Sequence, residues 1–441
     1  MSKIRLHGTS SGYTEIVPKA AAASNTLTAP STVGEIIAKD AAGAIGITSA
    51  KTNNINVGAA VTITASGINA TGVGVTVASI NEGPIGGRRN LIINGAMNVA
   101  QRDTSITAEG YTCDRFNLLF TGTDENATLA QVAVTTSDTG PYEAGFRNAL
   151  RITNGNQSSG AGAGDYMILR YKVEAQDIAN SGWNYKSASS YITLSYWVKS
   201  SVSQNFYGHM RSHDGTAQNY AWETGTLSAN TWTKITKTIP GQAAGNIDIN
   251  DDNGIGMMIT FPTWWGGNWT NNNTLNTWAA YDSANRTPDW TSTWYTTNDS
   301  TFEITGVQLE VGEVATPFEH RTYGDELARC MRYYQQWGAS GQDGNFCVGA
   351  SHLTSGGDQT RNASMLPTIL RAAPTITEFG NGLKVFGSGS EVSVTNIQDI
   401  NVTNGSNMLC WTCEHSDIGD NNEIVVVCNT DNGGASLSAE L

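Results

Sequence analysis

The stretch that decides the fold lies at residues 302–335 and reads FEITGVQLEVGEVATPFEHRTYGDELARCMRYYQ. Apolar and polar residues alternate over its first ten positions, which predicts a half-buried β-strand. The alternation slips by one residue at Gly306, and this slip predicts a β-bulge. A connector with Pro317 follows the strand. After the connector, the spacing of apolar residues predicts one helix over 323–337.

Five residues of the predicted helix are separated by four, three, four and three positions, which is the spacing of a heptad seam. Two heptads are too few to establish a coiled coil. The sequence therefore leaves two arrangements open: the helices of three chains meet at an axis, or each helix packs on its own domain. The predicted trimer seam consists of Tyr323, Leu327, Cys330, Tyr334 and Trp337.

Composition restricts the function of this chain of 441 residues. Charged residues make up only 15% and Gly numbers 48, which favours short strands and tight turns over helices. The net charge of −14 disfavours binding to nucleic acid or to anionic lipid. No apolar run reaches the roughly 18 residues of a membrane helix, and the N-terminus lacks the apolar core of a secretory signal. We therefore expect no membrane insertion, and assembly in a cytoplasm.

Four segments resemble parts of the fibre proteins of tailed bacteriophages, especially those that infect marine cyanobacteria. Residues 302–335 resemble the junction at which a sugar-binding-like sandwich ends and a helix leads to a C-terminal tip. The segment RRNLIINGAMNVAQR at 88–102 resembles the start of that sandwich. Residues 1–16 look like an N-terminal attachment leader, and 436–441 are similar to how many of these chains end. The resemblance implies a virion protein, namely a homotrimeric tail fibre for receptor binding and host adsorption.

The predicted fold is mainly β, with four parts. Residues 1–85 contain short units of alternating β-branched residues, which predict a trimeric β shaft; a flexible linker is the alternative. The resemblance of residues 1–16 implies that this part also attaches to the tail. Residues 86–320 read as strands separated by Gly, Asn and Asp turns, in an order similar to carbohydrate-binding jelly-roll β-sandwiches. A connecting helix is expected at 321–338 and a small β-sandwich tip at 339–441.

A tryptophan-rich run supplies the candidate glycan site. Aromatic rings stack on the apolar faces of sugars, and the neighbouring Asn and Asp residues offer hydrogen bonds to hydroxyl groups. The alternative is a segment that folds back and buries its own rings, because large aromatic residues usually serve packing. The candidate residues are Trp264, Trp265, Trp269, Trp278, Tyr281, Trp290, Trp294 and Tyr295.

One acidic loop is a candidate calcium site, with oxygen ligands from Asp248, Asn250 and Asp252. The loop departs from the EF-hand because no Glu follows at the twelfth position, so an Asx-rich turn is the alternative. Cys410 and Cys413 would point to opposite faces of a strand, which argues against a zinc site. No other cofactor is expected.

The expected function is non-enzymatic adhesion, because no HExxH, P-loop or dinucleotide motif occurs. The predicted partners are other copies of the chain, a tail or other virion protein, and a host cell-surface glycan. A tailspike enzyme that cuts polysaccharide is one alternative, because two catalytic carboxylates can come from distant parts of a sequence. A head fibre or decoration protein of the same build is another, because the attachment leader does not identify the virion protein to which it binds.

Overall fold

The computed structural model of the chain comprises two compact units, residues 1–77 and 78–441. It describes residues 4–7, 13–16, 61–64, 67–70, 89–243, 245–338, 346–354, 356–380, 382–387, 390–402, 407–416, 418, 426–429 and 433–441. In the first unit, β1 (Ile4–His7) pairs antiparallel with β2 (Tyr13–Ile16), and β3 (Val61–Thr64) pairs with β4 (Gly67–Ala70). The predicted shaft unit at 61–65 thus contains a strand. The other predicted shaft units lie outside the described residues.

Two antiparallel sheets form the sandwich of the second unit. Its strands are β5 (Ser105–Ile106), β6 (Gly110–Tyr111), β7 (Asn117–Thr121), β8 (Thr128–Ala133), β9 (Asn148–Thr153), β10 (Tyr166–Glu174), β11 (Tyr191–Ser200), β12 (Asn205–Ser212), β13 (Gln218–Thr226), β14 (Thr233–Pro240), β15 (Ile255–Trp265), β16 (Trp278–Ala280) and β17 (Thr301–Val311), with a short helix α1 (Ala175–Ala179) after β10. The seven-stranded sheet has the order β16-β13-β12-β15-β10-β7-β6, and the six-stranded sheet has the order β14-β11-β17-β9-β8-β5.

The predicted strand at the start of the deciding stretch is confirmed as β17, and so is its bulge. Ser195 of β11 pairs with Gln308, whereas Trp197 pairs with Thr305, so two residues of β17 face one residue of β11. The bulge places Gly306 at φ +64°, a conformation that costs other residues about 1–2 kcal/mol. Because a β-bulge restores the inward direction of the following side chains, both halves of β17 bury their apolar residues in one core.

The predicted helix is shorter than expected, and the prediction is wrong beyond Met331. The helix α2 spans Tyr323–Met331, and the Thr322 Oγ1 caps it by accepting a hydrogen bond from the Asp325 backbone N–H at 3.3 Å. The chain then enters a strand, β18 (Tyr334–Trp337). The backbone groups of β18 pair with a strand near the far end of the sequence, which local periodicity does not show.

The predicted trimer seam is also contradicted, because most of its residues face their own chain. Cys330 is fully buried against Ile93 and Val99, and Leu327 packs on the same cluster. Tyr334 is buried as well. Trp337 packs against the ring of Trp411, with centroids 5.5 Å apart, and Tyr323 is exposed. The alternative of a helix packed on its own domain is the one observed.

The segment at 88–102 attaches this helix to the sandwich. The Asn94 side-chain amide donates to the carbonyls of Val99 and Asp114 at 2.8 and 3.0 Å. The backbone N–H of Asn94 donates to the Glu326 carboxylate of α2 at 2.6 Å. These bonds satisfy polar groups that would otherwise be costly to bury, and they explain why this polar segment lies inside the protein.

The C-terminal part is a barrel beside a small sheet, whereas the sequence predicts a small sandwich. Its strands are β19 (Phe346–Leu353), β20 (Gln359–Met365), β21 (Thr375–Phe379), β22 (Leu383–Gly387), β23 (Ser390–Val402), β24 (Met408–His415), β25 (Val426–Asn429) and β26 (Gly434–Ser438). The barrel closes in the order β19-β20-β24-β23-β22-β25, and β18-β26-β21 form the sheet. Alternation alone does not distinguish a barrel from a sandwich, since both have one buried face.

Two cysteines of β24 lie on opposite faces of the strand. Cys410 is exposed and Cys413 is buried, as predicted for opposite faces of a strand.

After β26 the chain returns to the sandwich, where Glu440 forms ion pairs with Arg102 and Arg115. Within the described residues, no helix has the length and apolar character needed to cross a membrane.

Candidate functional site

The candidate site lies on the outer face of the seven-stranded sheet. Alternate residues of β10 and β12 belong to the core, so the intervening residues point outward. Strand register places these outward residues in two rows across β10, β15 and β12. The rows are Arg170, Thr260, His209 and Lys172, Met258, Arg211. Neighbouring strands lie about 4.8 Å apart, so the ends of each row are about 10 Å apart.

These rows form part of the floor of a cleft of about 180 Å³, which we call the cationic cleft. Four cations line it, Arg170, Lys172, Arg211 and Arg286, together with the rings of Trp265 and Tyr281. No carboxylate lines it among the residues that the structure describes. The cleft therefore gathers positive charge in a chain whose net charge is −14.

Aromatic rings hold two of the arginines in place. The Arg286 Cζ lies 4.5 Å from the centroid of the Trp265 ring and 4.7 Å from that of Trp269. Its Nε donates to the Tyr281 hydroxyl at 2.9 Å. The Arg211 Cζ lies 3.7 Å from the centroid of the Tyr281 ring. Such cation–π contacts fix a guanidinium while leaving donor groups available to a ligand.

Burial is the main cause of two pKa shifts in the cleft, and the neighbouring positive charges add to both. Burial, and next the positive charge of Arg286, lowers the pKa of His209 from 6.5 to about 3. Burial, and next the charges of Arg170 and Arg115, lowers the pKa of Lys172. Cations that disfavour one another's protonation favour an incoming anion by the same electrostatics.

A second cleft of about 530 Å³ adjoins the first and shares Trp265 with it. We call it the aromatic cleft. Trp264 and Trp290 also line it, and its polar lining residues include Asn271 and Asp289. The Asp289 carboxylate accepts a hydrogen bond from the Thr270 hydroxyl at 2.8 Å. Trp290 is half-buried, whereas Trp264 and Trp265 are only 6% and 2% exposed. The Trp290 ring beside amide and carboxylate groups matches the alternating apolar and hydroxyl surfaces of a sugar.

Of the eight predicted glycan residues, four lie in or beside the clefts and one packs against a neighbouring strand. Trp265, Trp269, Tyr281 and Trp290 lie in or beside the two clefts. Trp278 packs on Tyr220, with centroids 5.3 Å apart, and its Nε1 donates to the Pro240 carbonyl.

The prediction fails for the most buried residues of that set. Trp294 and Tyr295 have no exposed surface, and both belong to the sandwich core. Trp264 stacks on Tyr295 at 5.5 Å and retains only 6% exposure, and Trp265 retains only 2%, so each contributes little more than an edge to the clefts. Burial of the rings within the fold, the alternative to ligand contact, is what the structure shows for these four: Trp264 and Trp265 in β15, and Trp294 and Tyr295 in the loop before β17.

The three candidate calcium ligands each have a partner within the protein. Asp248 pairs with Lys186 at 2.6 Å, Asn250 donates to Asp214 at 3.0 Å, and Asp252 accepts from the Gly254 backbone N–H at 2.8 Å. In the described residues, no group of three or more His, Cys, Asp or Glu side chains is arranged to hold a metal ion. The calcium site stays a prediction.

Sequence reasoning missed the cations of the site. They come from two strands and a loop that are distant in sequence, so the sequence contains no local cluster of positive charge that would indicate them. A signal exists within each strand. Arg170 and Lys172 are two positions apart, and so are His209 and Arg211, and this spacing places each pair on one face of its strand.

Comparison with known proteins finds similar solved structures at low sequence identity. No protein-family model and no curated protein sequence matches the chain. A sugar-binding protein from Bacteroides thetaiotaomicron, described as putative in its name, matches over 50% of this chain and 99% of its own, with 10% identity and a TM-score of 0.27. The N-terminal cellulose-binding domain of Cellulomonas fimi β-1,4-glucanase C matches over 49% and 99%, with 14% identity and a TM-score of 0.23.

A third similar structure is the enzymatically active domain of tailspike protein 4 of bacteriophage CBA120. It is 12% identical, with a TM-score of 0.25. The match covers 50% of this chain and 21% of the tailspike chain, so this chain spans about a fifth of that structure's length.

Proposed function

We propose that this chain binds glycans through the outer face of its seven-stranded sheet. We further propose that it does so as a homotrimeric tail fibre, which attaches to a virion by residues 1–85 and adsorbs to the host surface. The observation that carries the binding proposal is the pair of clefts that share Trp265. One cleft offers rings and hydroxyl partners, and the other offers guanidinium groups.

The lining of the clefts favours binding over cleavage. Glycoside hydrolysis ordinarily needs two carboxyl groups about 5–10 Å apart. Among the described residues that line the two clefts, Asp289 is the only carboxylate. A site with one carboxylate and the half-buried rings of Trp290 and Tyr281 suits binding of a saccharide that is released without being cleaved.

The virion role is supported by the resemblance of the segments at 1–16, 88–102, 302–335 and 436–441 to phage fibre proteins. Weak sites suffice in such a fibre, because three copies of each site raise the effective concentration of the next contact. Avidity of this kind increases overall attachment by about 10²–10⁴-fold without a tight single site.

Cell binding by the full-length protein tests the adhesive role. Labelled protein is added to a panel of bacteria that includes marine cyanobacteria, and its mass is measured by sedimentation. The expected result is a trimer that binds cells and blocks phage adsorption to them. A protein that sediments as a trimer yet neither binds nor blocks on any strain of the panel would refute the adhesive role, and a monomer would refute the trimeric fibre.

A matched pair of tryptophan variants locates the site in the same assay. Trp290 is half-buried beside Tyr207 in the aromatic cleft. Trp232 is half-buried beside the six-stranded sheet, where its Nε1 donates to Asp138 at 2.8 Å. Trp290→Ala should weaken cell binding about tenfold, whereas Trp232→Ala should leave it unchanged. Asn271→Ala, an exposed change in the same cleft, should also weaken binding and guards against a folding defect.

A further inference from the structure

Three arginines meet on the outer face of the sheet without a negative partner. Arg170 comes from β10, Arg211 from β12, and Arg286 from the loop between β16 and β17. None of the three forms a salt bridge with a carboxylate in the part of the chain that the structure describes. Folding thus brings three separate segments together at one point and leaves their charges unbalanced.

Other arginines of the sandwich show that a shortage of acids is not the reason. Arg332 pairs with both oxygens of the Glu174 carboxylate at 2.7 and 2.8 Å. Arg151 pairs with Glu303 at 2.8 Å. Since acids outnumber basic residues 39 to 25 in the whole chain, a cluster of three unpaired guanidinium groups is a local property of the cleft.

Several buried polar atoms around the cleft have no hydrogen-bond partner. They are Arg170 Nε, Arg211 Nε, His213 Nε2, Thr260 Oγ1 and Trp265 Nε1. Leaving one such donor unsatisfied costs about 1–3 kcal/mol. Because most of these atoms are N–H donors, the surroundings of the cleft hold more donors than acceptors, which favours a ligand that brings acceptors.

We propose that the glycan bound by this chain carries an anionic group, and that Arg170, Arg211 and Arg286 bind that group in the cationic cleft. This inference rests on the proposed glycan binding. A carboxylate, sulfate or phosphate fits the fork of a guanidinium. The sugar ring that carries the group lies beside the half-buried Tyr281, and the adjoining residues of the saccharide extend into the aromatic cleft toward Trp290.

The test is a glycan array that carries neutral, carboxylated, sulfated and phosphorylated saccharides, probed with the full-length protein. The expected result is binding to one anionic class at least tenfold tighter than to its neutral counterpart. The arm that binds identifies the source of the negative charge. Because the protein carries a net charge of −14, general attraction to polyanions does not produce this pattern.

Charge-removing variants assign the contact to the cleft. Arg170→Gln and Arg211→Gln should each weaken binding to the anionic saccharide about 10- to 100-fold, the usual effect of losing a charge-assisted hydrogen bond. Lys234→Gln is the matched control, because Lys234 is exposed on the opposite sheet. It should change binding less than twofold.

Each remaining outcome overturns a different statement. If neutral saccharides bind equally well and the arginine variants have no effect, the anionic class is refuted while glycan binding stands. If no saccharide of any class binds, glycan binding fails and this inference fails with it. If Arg170→Gln and Arg211→Gln dissociate the protein into smaller species, the cleft holds a carboxylate of another copy, and the inference is refuted.

Discussion

His209 should make the stability of the sandwich depend on pH. Its imidazole is 1% exposed, and Nδ1 lies 2.9 Å from the Asn219 Oδ1. Arg170, Arg211 and Arg286 surround it with positive charge, and burial together with Arg286 lowers its pKa from 6.5 to about 3. The native ring therefore stays neutral at pH 5, whereas the ring of the unfolded chain is protonated there.

The magnitude follows from the difference in bound protons. With an unfolded pKa of about 6.5, the unfolded chain gains about 0.7 of a proton at His209 between pH 7 and pH 5, and the native protein gains almost none. The stabilisation is fully present above pH 6.5 and is lost as the pH falls toward 3. Linkage gives a loss of about 2 kcal/mol in the free energy of unfolding over this interval.

A second histidine contributes in the same direction, so a variant is needed to isolate His209. Burial, and next the charge of Arg211, lowers the pKa of His213 to about 4, but its partial exposure makes its contribution smaller. His209→Asn preserves a donor for the Asn219 Oδ1 and removes the titrating ring.

Urea unfolding at pH 7 and pH 5, followed by tryptophan fluorescence, measures the effect. Wild type should lose about 2 kcal/mol more than His209→Asn between the two pH values. If both proteins lose the same amount, His209 is not held neutral by burial beneath the cationic cleft.

Three substitutions test the packing around the site by urea unfolding. Arg115→Met should cost about 3–5 kcal/mol, because Arg115 is buried against Glu440 and removing it leaves that carboxylate with Arg102 alone; a cost below about 1 kcal/mol would contradict the buried pair. Trp294→Ala should cost about 3–5 kcal/mol as a core truncation, and a near-neutral change would show that the ring is not in the core. Gly306→Ala should cost at least about 2 kcal/mol, because φ is +64° and the new Cβ would lie 2.6 Å from the Phe146 ring; wild-type stability would exclude the bulge.

Local pattern predicted those features of the fold that depend on neighbouring residues. The alternation in β17 and its slip at Gly306 are properties of one strand, and both are confirmed. The helix predicted from the sequence is too long, because Tyr334 and Trp337 continue its heptad spacing. In the structure both residues pair with β26, about 100 residues later. No local pattern contains that partner. The barrel was missed for the same reason, since closure depends on which strands meet.

The candidate site shows the same limit. The tryptophan run predicted a glycan site, and of its residues Trp265 and Trp290 line the clefts. Composition did not distinguish these rings from Trp294, which fills the core. The cations could not be predicted, because Arg170 and Arg286 become neighbours only when the loop after β16 folds over the outer face of the sheet that contains β10.

The central claim is that the face around Trp265 binds saccharides, and a glycan-array titration of three proteins tests it most directly. The account predicts that wild type binds at least one saccharide, that Trp290→Ala binds it about tenfold more weakly, and that Trp232→Ala binds it as wild type does. Equal binding by all three proteins, or no binding by wild type to any saccharide, would contradict the claim.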